Sequence, residues 1–327
     1  MGAGQRMHRQ KEMLRFVSKD AVGIEIAPYF NPLASKAAGY KCLIIDIFDE
    51  DQLRANAKSD PNIPDARVSE IESVDFVGDA SRLDEQLRGR PEFGACDYVI
   101  SSHNFEHLPN PIRFLRGCAE VLRPGGVLSM AIPDYRACFD HFRFPTRLSD
   151  WISAYHEDRR KPALQTVLDA KLGTSMYSDK NGVARPGFAL GSARLERFRF
   201  GHNLPRIYEQ YLDKPEHYID THCSVTCPEI FHLLVNDLIH IGLVNFEILS
   251  ISKTNGIEYF VHLRKPAQEI VPDQTEYKAK RPRLLNEARL AIGNGNDSRL
   301  HSWLMNAIHD DWARRLLGLK SYLVNSG

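Results

Sequence analysis

The amino-acid sequence predicts an open, doubly wound α/β sheet, mostly parallel and closed at one edge by an antiparallel hairpin. Three observations carry that prediction. Short apolar runs ending in acids recur through the first 135 residues. The segments joining them are short, with helical periodicity, which is the signature of βαβ crossovers. Near the end of the pattern two further apolar runs flank Lys253-Thr254-Asn255-Gly256, and an Asn-Gly between strands is a strong hairpin signal.

The elements follow in order. Residues 6–20 are charged and amphipathic and read as a leading helix, so residues 1–20 precede the sheet. Val22 to Ile26 is the first strand. Asn31 before Pro32 suits a helix start, an Asn cap with Pro at the first helical position, and the helix would run through Ala34–Ala38 to Gly39. Lys41–Asp46 is the second strand, Ser73–Asp79 a third and Cys96–Ser102 a fourth. Asn110-Pro111 caps a helix with Ile112, Leu115, Ala119 and Leu122 on one face, closed by Arg123-Pro124-Gly125-Gly126. Val127–Ile132 is the fifth strand. Thr226-x-x-Glu229 reads as a capping box opening a helix with Ile230, Leu233, Leu234, Leu238 and Ile241 on its apolar face.

The chain accordingly divides into a cofactor-side half (21–135), a helical insertion (136–225), a closing helix and hairpin (226–266) and a helical appendage (267–327). The insertion is rich in aromatic, His and Arg residues, which suits a lid or substrate region. Helix-like runs in the appendage include Ser302–Met305 and Trp312–Leu317.

Composition narrows the function classes. The 327 residues hold 42 Lys+Arg against 42 Asp+Glu, a formal net charge of zero, where duplex-binding proteins carry a basic excess. Nucleic acid is therefore an unlikely partner. No stretch approaches about 18 uninterrupted apolar residues, so no membrane span is expected. The start is polar and lacks a signal-peptide core. The six cysteines form no C-x-x-C pair and read as buried, reduced thiols of a cytoplasmic protein.

Acids at strand ends are the informative chemistry. Glu25, Asp46 and Asp79 each follow or close an apolar run, at the edge where doubly wound sheets bind ligands. An acid after the second strand is placed to accept both ribose hydroxyls of a nucleoside. One after the third can accept an exocyclic adenine amine.

On these residues the sequence resembles the class I S-adenosylmethionine-dependent methyltransferases. The matching stretches are Gly23–Pro28, Leu43–Asp46, Phe76–Ala80 and, most specifically, Asp97 through Leu128. That last stretch carries Glu106-His107-Leu108 after the fourth strand and Arg123-Pro124-Gly125-Gly126 before the fifth. The first loop departs from the family: Ala27, Pro28, Tyr29 and Phe30 stand where glycines usually allow close backbone approach. This Gly-Ile-Glu-Ile-Ala-Pro form resembles a variant among methyltransferases of polysaccharide and secondary-metabolite pathways.

The resemblance implies a seven-stranded Rossmann-like sheet and S-adenosylmethionine as cofactor, with Glu25, Ile26, Ala27, Pro28, Asp46, Ile47, Asp79, Ala80 and Ser102 around it. It implies methyl transfer to an acceptor oxygen, nitrogen or carbon of a small molecule or glycan precursor, a hydroxyl being the preferred acceptor, whose proton a nearby base would remove. His103 is the first candidate base, with Asp134 and His141 next. His107 reads as a structural member of its turn. Asp134, Asp140, His141, His217, Asp220 and His222 gather in or beside the insertion, but their spacing fits no standard ligand motif, so no metal is expected. The run Arg194–His202 offers either a phosphate or acidic-sugar contact or a solvated helix face. Two other classes stand beside this one. A catalytically silent methyltransferase-like binding module is compatible with the glycine-poor loop. A nicotinamide-dependent oxidoreductase is disfavoured by the missing G-x-G-x-x-G turn and by the closing hairpin.

Overall fold

The computed structural model describes residues 3–61, 63–201, 203–213 and 217–293. Its strands are β1 (Val22–Ile26), β2 (Lys41–Asp46), β3 (Phe76–Val77), β4 (Cys96–Ser102), β5 (Leu122–Pro133), β6 (Met176–Ser178), β7 (Ala184–Arg185), β8 (Phe198–Arg199), β9 (Glu247–Ile251) and β10 (Glu258–Arg264). The helices are α1 (Ala3–Met13), α2 (Glu50–Ser59), α3 (Asp65–Val68), α4 (Leu83–Leu87), α5 (Pro111–Val121), α6 (Leu148–His156), α7 (Leu164–Gly173), α8 (Leu204–Asp213), α9 (Pro228–His240) and α10 (Gln274–Gly293).

The main sheet has the order β3-β2-β1-β4-β5-β10-β9. β1 pairs in parallel with β2 and with β4, and β10 runs antiparallel between β5 and β9. This is a Rossmann-like, seven-stranded sheet closed by an antiparallel hairpin. Both faces of its centre are covered, which is why β1, β2 and β4 are apolar nearly throughout rather than alternating. One face packs Ile24, Ile26 and Val99 against Leu83, Leu115 and Phe231. The other packs Tyr98, Ile100 and Phe260 against Met13 of α1 and Leu33.

Several expectations are met and several need correction. Asn110 caps α5 as expected, its Oδ1 accepting from the Arg113 amide at 3.0 Å with Pro111 at the first turn. The leading helix ends at Met13 instead of residue 20. No α-helix follows Asn31-Pro32. The amides of Leu33 and Ala34 go to the Glu25 carboxylate, and those of Lys36 and Ala37 to Glu72, leaving one 3-10 turn over Lys36–Ala38. Side-chain acceptors have taken the donors that a helix would use. The third strand shrinks to Phe76–Val77, because Asp75 turns its side chain onto the Ile44 amide just before it. Thr226 does not cap α9. Its hydroxyl bonds the Tyr259 hydroxyl at 2.7 Å, and Cys227 takes the cap position with Pro228 opening the helix.

The segment Leu122–Gly126 belongs to β5 as an irregular start instead of a turn before it. In the hairpin, Asn255 and Glu258 pair across Gly256 and Ile257, with Gly256 at φ 68°. Gly256 thus opens the two-residue loop, and Asn255 flanks it. The insertion is not purely helical: β7, β6 and β8 form a small antiparallel sheet beside α6, α7 and α8. α10 packs on α9 through Arg281 and Tyr277, both bonded to Asp237. The runs Ser302–Met305 and Trp312–Leu317 lie outside the described residues. All six cysteines are free thiols, five of them buried.

β1 and β4 meet without room to spare. A Cβ on Gly23 would stand 2.4 Å from the Tyr98 ring, which is fully buried. Gly23→Ala is expected to lower stability by about 1–3 kcal/mol, the usual cost of overpacking a core, read as a lower midpoint in thermal or urea unfolding. An unchanged midpoint would refute this close approach.

Candidate active site

The carboxyl ends of β1, β2, β4 and β5 and the start of β10 all lie at one edge of the sheet, because β10 alone among these runs antiparallel. A cavity of about 480 Å³ opens there, with Glu25, Ala27, Pro28, Ser102 and His103 in its wall and Arg6 and Arg9 of α1 across it.

The loop after β1 forms one side. Ala27 and Tyr29 have left-handed backbones, φ 47° and 50°, each costing a non-glycine residue about 1–2 kcal/mol. The conformation that glycine would adopt freely is thus kept without glycine. It is fixed at both ends: the Ala27 amide donates to the Ile45 carbonyl at 2.8 Å, and Glu25 holds the amides of Leu33 and Ala34 at 2.8 and 2.9 Å. Glu25 is 2% exposed, and burial outweighs its amide donors, so its carboxyl is pushed up to about 7.

A charged cluster forms the other side. His103 follows β4 with φ 50°, its amide tied to the Ala131 carbonyl of β5. Its Nε2 lies 2.8 Å from Glu258 of β10, and its Nδ1 3.4 Å from Glu106. Burial lowers the imidazole's pKa, but hydrogen bonds to Glu106 and Glu258 outweigh it and raise the value to about 9. Arg9 reaches the same Glu258 at 3.0 Å and also donates to the Ser102 hydroxyl.

The remaining expected residues lie along the same edge or away from it. Asp46 ends β2, 6% exposed, and burial raises its carboxyl. Its hydrogen-bond partners among the described residues are the amides of Phe48 and Ile47, so acceptor positions remain for a diol. Ile47 beside it is exposed, as is Asp79 after β3, whose Oδ1 takes the Ser81 amide and hydroxyl; Ala80 and Ile26 are buried. None of these five lines the cavity.

Asp134 and His141 are not brought to it either. Asp134 is fully buried in an ion pair with Arg136 and caps the turn after β5. His141 stacks on Phe198 at 5.1 Å and bonds the Arg136 carbonyl. Phe198 itself is core to the small sheet with Tyr177 and Phe188, so the Arg194–His202 run is partly packing; His202 lies outside the described residues. Sequence reasoning missed Arg9, Glu106 and Glu258. Glu258 did leave a signal, as the one acid inside the mostly apolar run Ile257–Leu263.

Residues 2–130 match the family model of a methyltransferase domain. That stretch takes in β1 to β4 and most of β5 of the Rossmann-like sheet. No curated protein matches the chain. Among solved structures it is similar to an S-adenosylmethionine-dependent methyltransferase of Mesorhizobium loti (12% identity, 80% of this chain and 98% of that one, TM-score 0.40). It is also similar to one of Aquifex aeolicus (10%, 80% and 89%, 0.36). A third is the Burkholderia thailandensis 1,6-didemethyltoxoflavin-N1-methyltransferase, solved with 1,6-didemethyltoxoflavin and S-adenosylhomocysteine (9%, 80% and 78%, 0.35). Likeness at this level carries no argument about the acceptor. Among the described residues no helix is long and apolar enough to cross a membrane.

The Glu25 carboxyl gives the ligand-free protein a pH signature. The folded state holds its proton up to about pH 7, whereas the unfolded chain releases it near 4.5. Its contribution therefore favours folding most below 4.5 and declines as pH rises through that window, by on the order of 3 kcal/mol in all. Glu25→Gln is expected to flatten this decline in unfolding midpoints measured from pH 4.5 to 7.5. Parallel profiles for wild type and variant would show that Glu25 titrates normally.

Proposed function

We propose that the chain methylates a hydroxyl of a small molecule or glycan precursor, with His103 as the base. The supporting observation is the placement of His103 in the cavity wall, between Glu106 and Glu258 and opposite the Glu25 loop. S-adenosylmethionine supplies an electrophilic methyl group on a sulfonium when bound. Asp46 would accept its ribose hydroxyls, Asp79 its adenine amine, and the Ala27–Pro28 backbone would lie against it. These residues fit the group, since Asp46 keeps free acceptor positions at the strand end.

The chain's own chemistry is alignment and proton removal. His103 takes the hydroxyl proton in its neutral form, a minority at neutral pH given its pKa of about 9. Transfer is therefore expected to quicken as pH rises toward about 9, and the two carboxylates stabilise the imidazolium that results. Arg9 holds Glu258 in place through a salt bridge whose partners are both largely buried. Its guanidinium also fixes the Ser102 hydroxyl, so the acceptor meets a wall whose polar groups are already oriented.

Two substitutions separate the roles. Asp46→Ala is expected to weaken S-adenosylhomocysteine binding by about 2–3 kcal/mol, the range for hydrogen bonds to a charged group, while the unfolding midpoint moves little. Equal affinity in wild type and variant would overturn this placement of the ribose site. His103→Asn is expected to leave that affinity intact and to slow methyl transfer by about 10²–10⁴. A variant as fast as wild type, once an acceptor is found by screening hydroxylated small molecules and sugars, would remove His103 from the chemistry.

A further inference from the structure

We propose that Glu106, His107 and His222 bind one divalent transition-metal ion of the imidazole-preferring kind, of which Zn²⁺ is the test case. Each offers a ligand atom, and the three atoms lie within 4.8 Å of one another. A tetrahedral ion with bonds of about 2.0–2.1 Å needs ligand atoms about 3.3 Å apart, so small side-chain rotations close the site. Spacing along the sequence gives no hint of it, since His222 arrives from the far end of the insertion.

Two independent observations point to a cation. The first is an orphan. Glu106 is 1% exposed, and its Oε2 has no hydrogen-bond partner among the described residues, while Oε1 faces His103 at 3.4 Å and His107 at 4.0 Å. A buried carboxylate oxygen without a partner is costly, and a metal ion is the charge that would satisfy it.

The second is the state of the two imidazoles. His222 Nδ1 is bonded to Asp140, and His107 Nδ1 to Asp220 at 3.0 Å. Each carboxylate accepts the Nδ1 proton and so leaves the Nε2 lone pair free, the arrangement that orients metal-ligating histidines. Asp140 is itself held by Arg143 at 3.0 Å, and the same Arg143 nitrogen donates to the His222 carbonyl at 2.9 Å. The Glu106 carbonyl in turn receives the amides of Cys223 and Ser224, locking the strap that carries His222 onto the turn that carries His107.

Two imidazoles and one carboxylate suit Zn²⁺, Co²⁺ or Fe²⁺ better than Mg²⁺. Three protein ligands leave a coordination position open, and the half-exposed His107 gives solvent access to it. Glu106 is shared with His103, which places the ion beside the acceptor side of the cavity. Use of the open position to orient an acceptor oxygen rests on the methyl-transfer reading above; the binding does not.

The test is calorimetric titration of the chelator-stripped full chain with Zn²⁺, with Mg²⁺ as control and Co²⁺ as optical probe. The expected result is one equivalent of Zn²⁺ with a dissociation constant of about 1 μM or tighter (roughly −8 kcal/mol) and no comparable uptake of Mg²⁺. His107→Ala, at a half-exposed position, should weaken binding at least about 100-fold, with an unfolding midpoint measured alongside to separate loss of the ligand from loss of the turn. Asp140→Asn, which acts through His222, should weaken it by about 10–100-fold. Co²⁺ should give visible d–d bands without a thiolate charge-transfer band, and His107→Ala should abolish them. Absence of saturable binding, affinity unchanged in His107→Ala, or a thiolate band placing the ion on Cys223 would each overturn the site. S-adenosylhomocysteine is titrated in parallel. Cofactor binding without metal sinks this site alone, and metal binding without cofactor sinks the methyl-transfer reading alone.

Discussion

A carboxylate buried among backbone amides sets the shape of the edge where the cavity opens. Glu25 ends β1 inside the sheet, and its two oxygens hold the amides of Leu33 and Ala34. That grip turns the crossover into a tight loop and removes the donors from which a helix would be built. Glu72 does the same one turn later through Ser35, Lys36 and Ala37. With both ends fixed, Ala27 and Tyr29 stay left-handed against their own preference, as strained backbone persists only where its surroundings over-determine it. The glycine-poor loop is therefore held in its left-handed turns by the carboxylate's grip on the chain beyond it instead of by glycine's conformational freedom.

The His103 wall of the cavity depends on a contact between the two extremes of the fold. Arg9 and Glu258 are 249 residues apart, and their ion pair brings α1 over the start of β10. His103 joins the pair from the end of β4. Removing Arg9 or Glu258 alone would leave the other charge buried and uncompensated, which costs more than the intact pair contributes. α1 is thus a wall of the cavity as well as a cover for the sheet, and Gln10 fastens it to the loop at the Leu33 carbonyl.

Much of this architecture was legible in the sequence, for a physical reason. Parallel strands buried on both faces need continuous apolar runs, so β2, β4 and the helix capped by Asn110 stand out. Asp46 and His103 could be placed because each directly follows such a run. What stayed hidden depends on contacts distant along the chain. Nothing local tells that the Asn31-Pro32 helix start loses its amides to Glu25, or that the Thr226 hydroxyl prefers Tyr259 to a cap. His141 resembled a site residue because Phe, Asp and Arg surround it, yet the ring and its neighbour Phe142 pack on Phe198 of the small sheet in the insertion. Glu106 and His107 read as turn residues, and only the returning strap from 220 to 224 gives them partners.

That strap is where packing and chemistry cannot be separated. Trp151 of α6 donates to Ser224 at 3.0 Å, Thr146 exchanges hydrogen bonds with Val225, and Arg143 ties Asp140, Asp169 and the His222 carbonyl together. The insertion is therefore anchored on the turn after β4 through buried polar contacts. An apolar seam would have served stability alone at least as well, because buried ionic groups contribute little once their desolvation is counted. Their convergence on one unpartnered carboxylate oxygen and two oriented imidazoles is an arrangement that packing does not require, and it lies against the histidine that lines the cavity.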